Sequence, residues 1–142
     1  MMTTNVFVYG TLRKGGRLSA HMRRDGVEFL GSGEVAGFAL YDLGSYPAAA
    51  PVPQSGSWVR GEVYRVDAAA LANLDRVEGV PTLYRRGPTG VRMDRGAPEW
   101  LMADIYYMAE ADASRWGDRM TVNDWTAYTA TRPVPSWLDF PL

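Results

Sequence analysis

Cysteine is absent from this 142-residue chain, and histidine occurs once, at His21. Without cysteine there is no disulfide, no thiolate nucleophile and no Cys-ligated zinc. One imidazole cannot build a multi-histidine metal centre, and a Ser–His–Asp triad would have to use His21 itself. His21 falls in Leu18-Ser19-Ala20-His21-Met22-Arg23-Arg24, which reads as a short exposed helix, so a surface or capping role suits it. Long apolar runs are also missing. None approaches the ~20 residues that span a bilayer, and the N-terminus lacks the basic-then-apolar pattern of a signal peptide. The cytoplasm is the expected compartment. Charge of neither sign is in excess: 15 Lys+Arg stand against 16 Asp+Glu, a net charge of −1. Neither nucleic acid nor a membrane surface is therefore expected as a partner. Carboxylates, tyrosine hydroxyls and backbone amides are the chemical tools left, and no metal and no cofactor is expected.

The 46% hydrophobic and 22% charged content suits an ordinary globular chain, and the length suits one domain over residues 1–142. Its most informative stretch is Val6-Phe7-Val8-Tyr9-Gly10-Thr11-Leu12-Arg13. An apolar run of strand character meets a glycine, which permits a tight turn or close approach of a ligand. The amides of Gly10, Thr11 and Leu12 then have no evident strand partner. Such a row of N–H donors suits a carboxylate or an oxyanion; the alternative is an edge strand ending in an ordinary turn.

A second segment, Asp67 to Pro81, reads as a short helix with both ends marked. Asp67 is the N-cap, followed by strong helix formers. Leu71, Leu74 and Val77 recur at helical spacing and should face the core. Gly79 and Pro81 stop the helix, which leaves Glu78 at or just past its last turn. The negative end of the helix dipole disfavours a carboxylate there. The placement makes sense if Glu78 must hold a proton near neutral pH, because the dipole and partial burial both raise a carboxyl pKa. The alternative is a solvated Glu78 paired with Arg76, Arg85 or Arg86.

Elsewhere, Val27 to Tyr41 reads as two strands or one bent strand, with Gly31, Gly33 and Gly37 as bulges or corners. Asp42 to Pro47 is a turn and Pro51 to Ser57 a polar loop. Trp58 to Val66 is the best alternating strand, with Val59, Gly61, Val63 and Arg65 on one face and Trp58, Arg60, Glu62, Tyr64 and Val66 on the other. Tyr84–Met93 and Trp100–Met108 form two more strands around a turn at Asp94 to Pro98. Beyond Asp112, Trp116, Trp125, Tyr128 and Trp137 are expected to pack over the sheet, and the tail Arg132 to Trp137 to run extended. Glycine within strands favours a curved sheet or small barrel, and a single central helix argues against regular βαβ alternation.

Two motifs fail on inspection. Gly10 to Gly16 follows a strand as a phosphate loop does, but lacks the Lys-Ser/Thr pair that grips phosphate and Mg²⁺. Asp75 and Glu78 are three apart on one helix, side by side and not opposed across a sugar.

Taken in order, several segments resemble the gamma-glutamylcyclotransferase superfamily, in particular its gamma-glutamylamine cyclotransferase-like branch. They are Tyr9-Gly10-Thr11-Leu12-Arg13; Gly37 to Ala48 with Gly44-Ser45-Tyr46-Pro47; Gly61-Glu62-Val63-Tyr64; Leu74-Asp75-Arg76-Val77-Glu78-Gly79, continuing to Tyr84 and Arg85; Ala103-Asp104-Ile105-Tyr106; and, loosely, Gly117 to Tyr128. The pattern departs after Arg13, where such proteins often carry an Asn; Gly16-Arg17-Leu18-Ser19 stands here. The resemblance implies an α+β fold, a small mixed or antiparallel β-barrel flanked by a few short helices. It implies a cavity lined by Tyr9, Gly10, Thr11 and Leu12, with Glu78 projecting into it. It implies release of 5-oxoproline from a gamma-glutamyl amide or amine, with the substrate α-amine as nucleophile and Glu78 as general acid/base. Tyr46, Tyr84 and Tyr106 are the further candidates, at least one of them expected to present its hydroxyl to the pocket as a partner for Glu78. Two alternatives stay open: a non-catalytic module of the same fold that binds a small carboxylate, and an amide- or acyl-transfer enzyme of a modification pathway. The leaving amine and the oligomeric state are not legible.

Overall fold

The computed structural model describes residues 2–95 and 98–131. The expected extended tail and Trp137 lie outside these residues.

Five strands close into a barrel: β1 (Thr3–Val8), β2 (Val27–Ala36), β5 (Trp58–Asp67), β6 (Arg85–Met93) and β7 (Trp100–Tyr107). Their order is β1-β5-β2-β6-β7, and β7 returns to pair with β1 in parallel through Val6 opposite Asp104 and Phe7 opposite Ile105. The other barrel pairings are antiparallel. Beyond β7 the sheet continues through β4 (Pro47–Pro51), β3 (Phe38–Asp42) and the two-residue β8 (Asp118–Arg119). Helices α1 (Ala68–Val77), α2 (Glu110–Trp116) and α3 (Trp125–Thr131) complete the fold, and none is long and apolar enough to cross a membrane.

Strand alternation divides the core in two. Phe7, Val35, Val63, Val91 and Ile105, one from each barrel strand, meet in one apolar cluster. Residues of the opposite parity, Val6 and Val8 on β1 and Tyr64 and Val66 on β5, pack under Ala70 and Leu74 of α1. The expected alternation of Trp58–Val66 is therefore real, with both faces largely covered. The expected break in Val27–Tyr41 falls at Gly37, and a register shift against β5 lies between Phe29 and Gly31.

Three expectations are corrected. Residues 47–51, which carry no strand signal, form β4, paired along its length with β3 and buried from Pro47 to Ala50. Trp116 does not pack over the sheet: it is 69% exposed, whereas Trp125 is buried. The helix holding His21 is a four-residue 3₁₀ turn, Ser19–Met22, with Ser19 and Met22 buried instead of an exposed face all round.

Candidate active site

Helix α1 sets the site. Asp67 caps it as expected, its Oδ1 accepting from the Ala70 amide at 2.8 Å. Leu74 is fully buried and anchors the last turn, Leu71 is partly buried against the same cluster, and Val77 reaches a cavity instead of the core. Glu78 is the C-cap, donating its N–H to the Leu74 carbonyl at 2.9 Å. Gly79 follows at φ +68, a left-handed conformation that glycine adopts without steric cost, and the chain leaves the helix axis there.

The side chain of Glu78 enters a cavity of about 210 Å³. That volume exceeds many times the ~10–15 Å³ needed for one water and suits a small molecule. Tyr9, Gly10, Thr11 and Leu12 form one wall, Val77 and Glu78 another, and Tyr46, Pro47, Tyr84 and Tyr106 complete the lining. All the residues expected at the site therefore meet in one place. The neighbouring arginines do not pair with the acid: Arg86 binds Asp75 and Asp104, and Arg76 binds Asn73. Among the described residues Glu78 accepts no hydrogen bond and forms no ion pair. Burial pushes its carboxyl up from 4.5 to about 7. Desolvation is the cause.

The loop after β1 has the expected open donors. Gly10, Thr11 and Leu12 line the cavity, and their N–H groups donate to no acceptor among the described residues. Gly10 is required sterically, because a Cβ there would lie 2.7 Å from Cγ of Pro47. The loop is held from beneath by Glu62, a buried carboxylate that sequence reading placed on a strand face without a role. Glu62 accepts from the Lys14 amide at 3.0 Å and the Tyr64 hydroxyl at 2.9 Å, and faces Arg13 at 3.4 Å. Arg13 also binds Asp124 at 2.9 Å. The available signal was a carboxylate two residues before Tyr64 on a strand face that also carries Trp58 and Val66.

Of the candidate tyrosines, Tyr84 and Tyr106 have their hydroxyls engaged elsewhere, and Tyr46 does not. None gives Glu78 a hydrogen bond. Tyr84 donates to the Pro47 carbonyl at 2.6 Å, and Tyr106 to Asp75 at 2.8 Å. Tyr9 donates to the Tyr106 carbonyl at 2.7 Å and accepts from the Ala49 amide at 3.0 Å. Buried acceptors in the wall claim these hydroxyls first. Tyr46 is the lining tyrosine whose hydroxyl has no partner among the described residues. Burial raises the pKa of Tyr9, Tyr84 and Tyr106, and the Glu78 charge adds to the rise in all three, so these hydroxyls stay protonated beside the acid. His21 is not part of the lining; its Nδ1 lies 3.2 Å from Asn73 Nδ2. Among the described residues no three His, Asp or Glu side chains converge as a metal site would require.

The site is thus a cavity at a small barrel, with a half-buried acid, unpartnered among the described residues, and a loop of open amides in its lining. The chain belongs to the gamma-glutamyl cyclotransferase, AIG2-like family, whose model matches residues 6–127. A gamma-glutamylaminecyclotransferase of Rattus norvegicus is 35% identical over 122 residues, covering 79% of this chain and 82% of that protein. The gamma-glutamylcyclotransferase family protein YtfP of Escherichia coli K12 is 46% identical over 70 residues, 49% of this chain and 58% of that protein. The match thus spans little more than half the length of this bacterial relative. In three dimensions the chain is similar to the crystal structure of an aig2-like protein of Mus musculus, with a TM-score of 0.81 at 26% identity over 95% of this chain and 97% of that one.

Proposed function

We propose that this chain cleaves a gamma-glutamyl amide or amine by internal cyclisation and releases 5-oxoproline, with Glu78 as the general acid/base. The observation that carries the reading is the Glu78 carboxyl: half-buried in the cavity wall, unpartnered among the described residues, and held near pKa 7. Such a group is part ionised and part protonated at neutral pH, so it can accept and return a proton in one turnover. Relatives named as cyclotransferases support an enzyme of this family.

The substrate brings its own nucleophile. Glu78 takes a proton from the substrate α-ammonium, and the freed amine attacks the γ-carbonyl carbon. The new C–N bond closes a five-membered lactam, and the carbonyl oxygen carries the developing charge. Collapse breaks the original amide C–N bond; Glu78 returns its proton to the departing amine and then passes on the extra proton of the ring nitrogen, so the lactam keeps one N–H and the amine leaves as an ammonium. The amides of Gly10, Thr11 and Leu12 hold the α-carboxylate or the oxyanion. Bending an extended substrate so that amine meets carbonyl is the main positional contribution of the cavity. No metal and no cofactor enters this scheme, and a small polar substrate fits a cytoplasmic enzyme.

A panel of gamma-glutamyl amides, assayed for 5-oxoproline before and after chelation, tests the reading. The expected result is release from at least one member, undiminished by chelator. Binding without release would make the chain a carboxylate-binding module of the same fold. A gamma-glutamyl product formed with an added amine, in place of 5-oxoproline, would make it a transfer enzyme.

A further inference from the structure

We propose that Asp124, outside the cavity, is a positioning residue for the reaction: acting through Arg13, it holds the Gly10–Leu12 amide row in place on the barrel. The inference rests on the cyclotransferase reading and adds to it a remote residue that sets one half of the site.

The amide row lies beyond β1, which ends at Val8. It is one side of a turn that Arg13 closes. The Arg13 amide donates to the Gly10 carbonyl at 3.0 Å, and the Arg13 carbonyl accepts from the Gly16 amide at 2.8 Å. The Leu18 amide donates to the Thr11 carbonyl at 2.9 Å. Gly16 packs so closely that a Cβ there would lie 2.3 Å from the Thr11 oxygen. These contacts all lie within the loop. They fix its shape but not its place on the barrel.

Its polar ties to the rest of the molecule run through Arg13 and Lys14. The Lys14 amide donates to Glu62, and the Arg13 guanidinium faces Glu62 at 3.4 Å and Asp124 at 2.9 Å. Asp124 is the closer partner, and it is itself fixed. Its Oδ1 also accepts from the Ala127 amide in the first turn of α3 at 3.1 Å. The preceding Asn123 accepts from the Arg60 amide of β5 at 2.9 Å and, through Oδ1, from the Leu40 amide of β3 at 3.1 Å. The following Trp125 is buried in the apolar cluster of the barrel. Asp124 thus carries the position of β3, β5 and α3 to the guanidinium, and Arg13 carries it to the amides.

The Arg13 and Glu62 side chains are only 11% and 7% exposed. Sheltered ion pairs add little net stability, because desolvation offsets their attraction. They do fix geometry: a planar guanidinium held by two acceptors has a defined place and orientation. Glu78 is held separately, on α1, where Asp75 is tied to Arg86 and Tyr106. The two halves of the site therefore have independent supports. Loosening Arg13 should disturb what the amides bind and leave proton transfer by Glu78 alone. An α-carboxylate on the amide row is the same group in bound substrate and transition state, so the loss should fall on KM.

The test is Asp124→Asn, assayed with a gamma-glutamyl amide that the parent converts to 5-oxoproline. Asparagine caps a helix as well as aspartate does, so α3 keeps its first-turn bond, but it offers Arg13 no charge. KM should rise about fivefold or more with kcat within about twofold of the parent, and the acid limb of kcat/KM should stay near pH 7. Asp124→Glu, which keeps the charge, should recover part of the KM. Because Asp124 acts through Arg13, the double variant with Arg13→Met should have no higher KM than Arg13→Met alone. Should Arg13→Met fail to fold, Arg13→Lys takes its place in the cycle. An unchanged KM in Asp124→Asn overturns the inference alone. So do KM effects that multiply in the double variant, and a fall in kcat at constant KM that matches the unfolded fraction in a melt. A parent protein that releases no 5-oxoproline from any gamma-glutamyl amide overturns the cyclotransferase reading and this inference with it.

Discussion

Asp75 and Glu78 stand three residues apart at the end of α1, and their carboxylates have opposite surroundings. Asp75 accepts from Arg86 Nε at 2.9 Å and from the Tyr106 hydroxyl at 2.8 Å, while Arg86 also grips Asp104. Glu78 has no such partner among the described residues. The paired acid ties the last helical turn to β6 and β7, so the unpaired one keeps its place in the cavity without being neutralised. Asp75→Asn should therefore cost about 1–3 kcal/mol in denaturant unfolding and lower turnover by roughly tenfold through misplacement of Glu78. The acid limb of the pH–rate profile should stay where it was, because the titrating group is still present.

That limb follows from the raised carboxyl. Glu78 must be ionised to accept the first proton, so kcat/KM should climb as pH rises through about 7. Stability should move the other way. The folded protein holds the Glu78 proton up to about pH 7, whereas the unfolded chain releases it near 4.5. Between these values the folded state binds more protons, so raising pH weakens folding. Glu78→Gln removes this penalty. Its stability gain should be absent at pH 4, grow between 4.5 and 7, and level off above 7 at on the order of 1–3 kcal/mol. Thermal melts of both proteins across this range check the sign.

Tyr9→Phe deletes a hydroxyl that joins the Ala49 amide to the Tyr106 carbonyl. Two buried backbone groups lose a partner, so urea unfolding should show a loss of roughly 1–3 kcal/mol.

Gly10→Ala places a methyl group against the Pro47 ring, 2.7 Å from Cγ and 2.8 Å from Cδ. Either the loop or β4 must move. The variant should fold with a loss of about 1–3 kcal/mol, and KM should rise about tenfold or more as the amide row shifts. Steady-state kinetics beside a denaturant melt separate the two effects.

The parts of the fold that could be read from sequence are those set by local chemistry. β1 ends at Val8, two residues before Gly10, β5 alternates, and α1 runs from the Asp67 cap to the Gly79 stop. β4 was hidden because Pro-Ala-Ala-Ala-Pro has poor strand propensity. Its small side chains are what a strand buried along most of its length can accommodate beside β3, a tertiary requirement that leaves no periodic trace. Trp116 shows the reverse error, since a large ring is no guarantee of burial. At the site, Glu78 was legible because a carboxylate at a helix C-terminus is out of place. The clamp on Asp75 and the Glu62 anchor were not, because their partners come from other strands and loops, up to 49 residues away for Glu62. The acceptors of Tyr84 and Tyr106 were not legible for the same reason: they are backbone and carboxylate oxygens that only the closed barrel brings near.

The most direct test of the account is turnover by Glu78→Gln. Glutamine keeps the size of the side chain and much of its hydrogen-bonding capacity but cannot shuttle a proton. With a gamma-glutamyl substrate that the parent converts to 5-oxoproline, kcat should fall by roughly 10²–10⁴ while binding and folding persist. A folded Glu78→Gln protein that releases 5-oxoproline at the parent rate would contradict the assignment of Glu78 as the acid/base and the mechanism built on it.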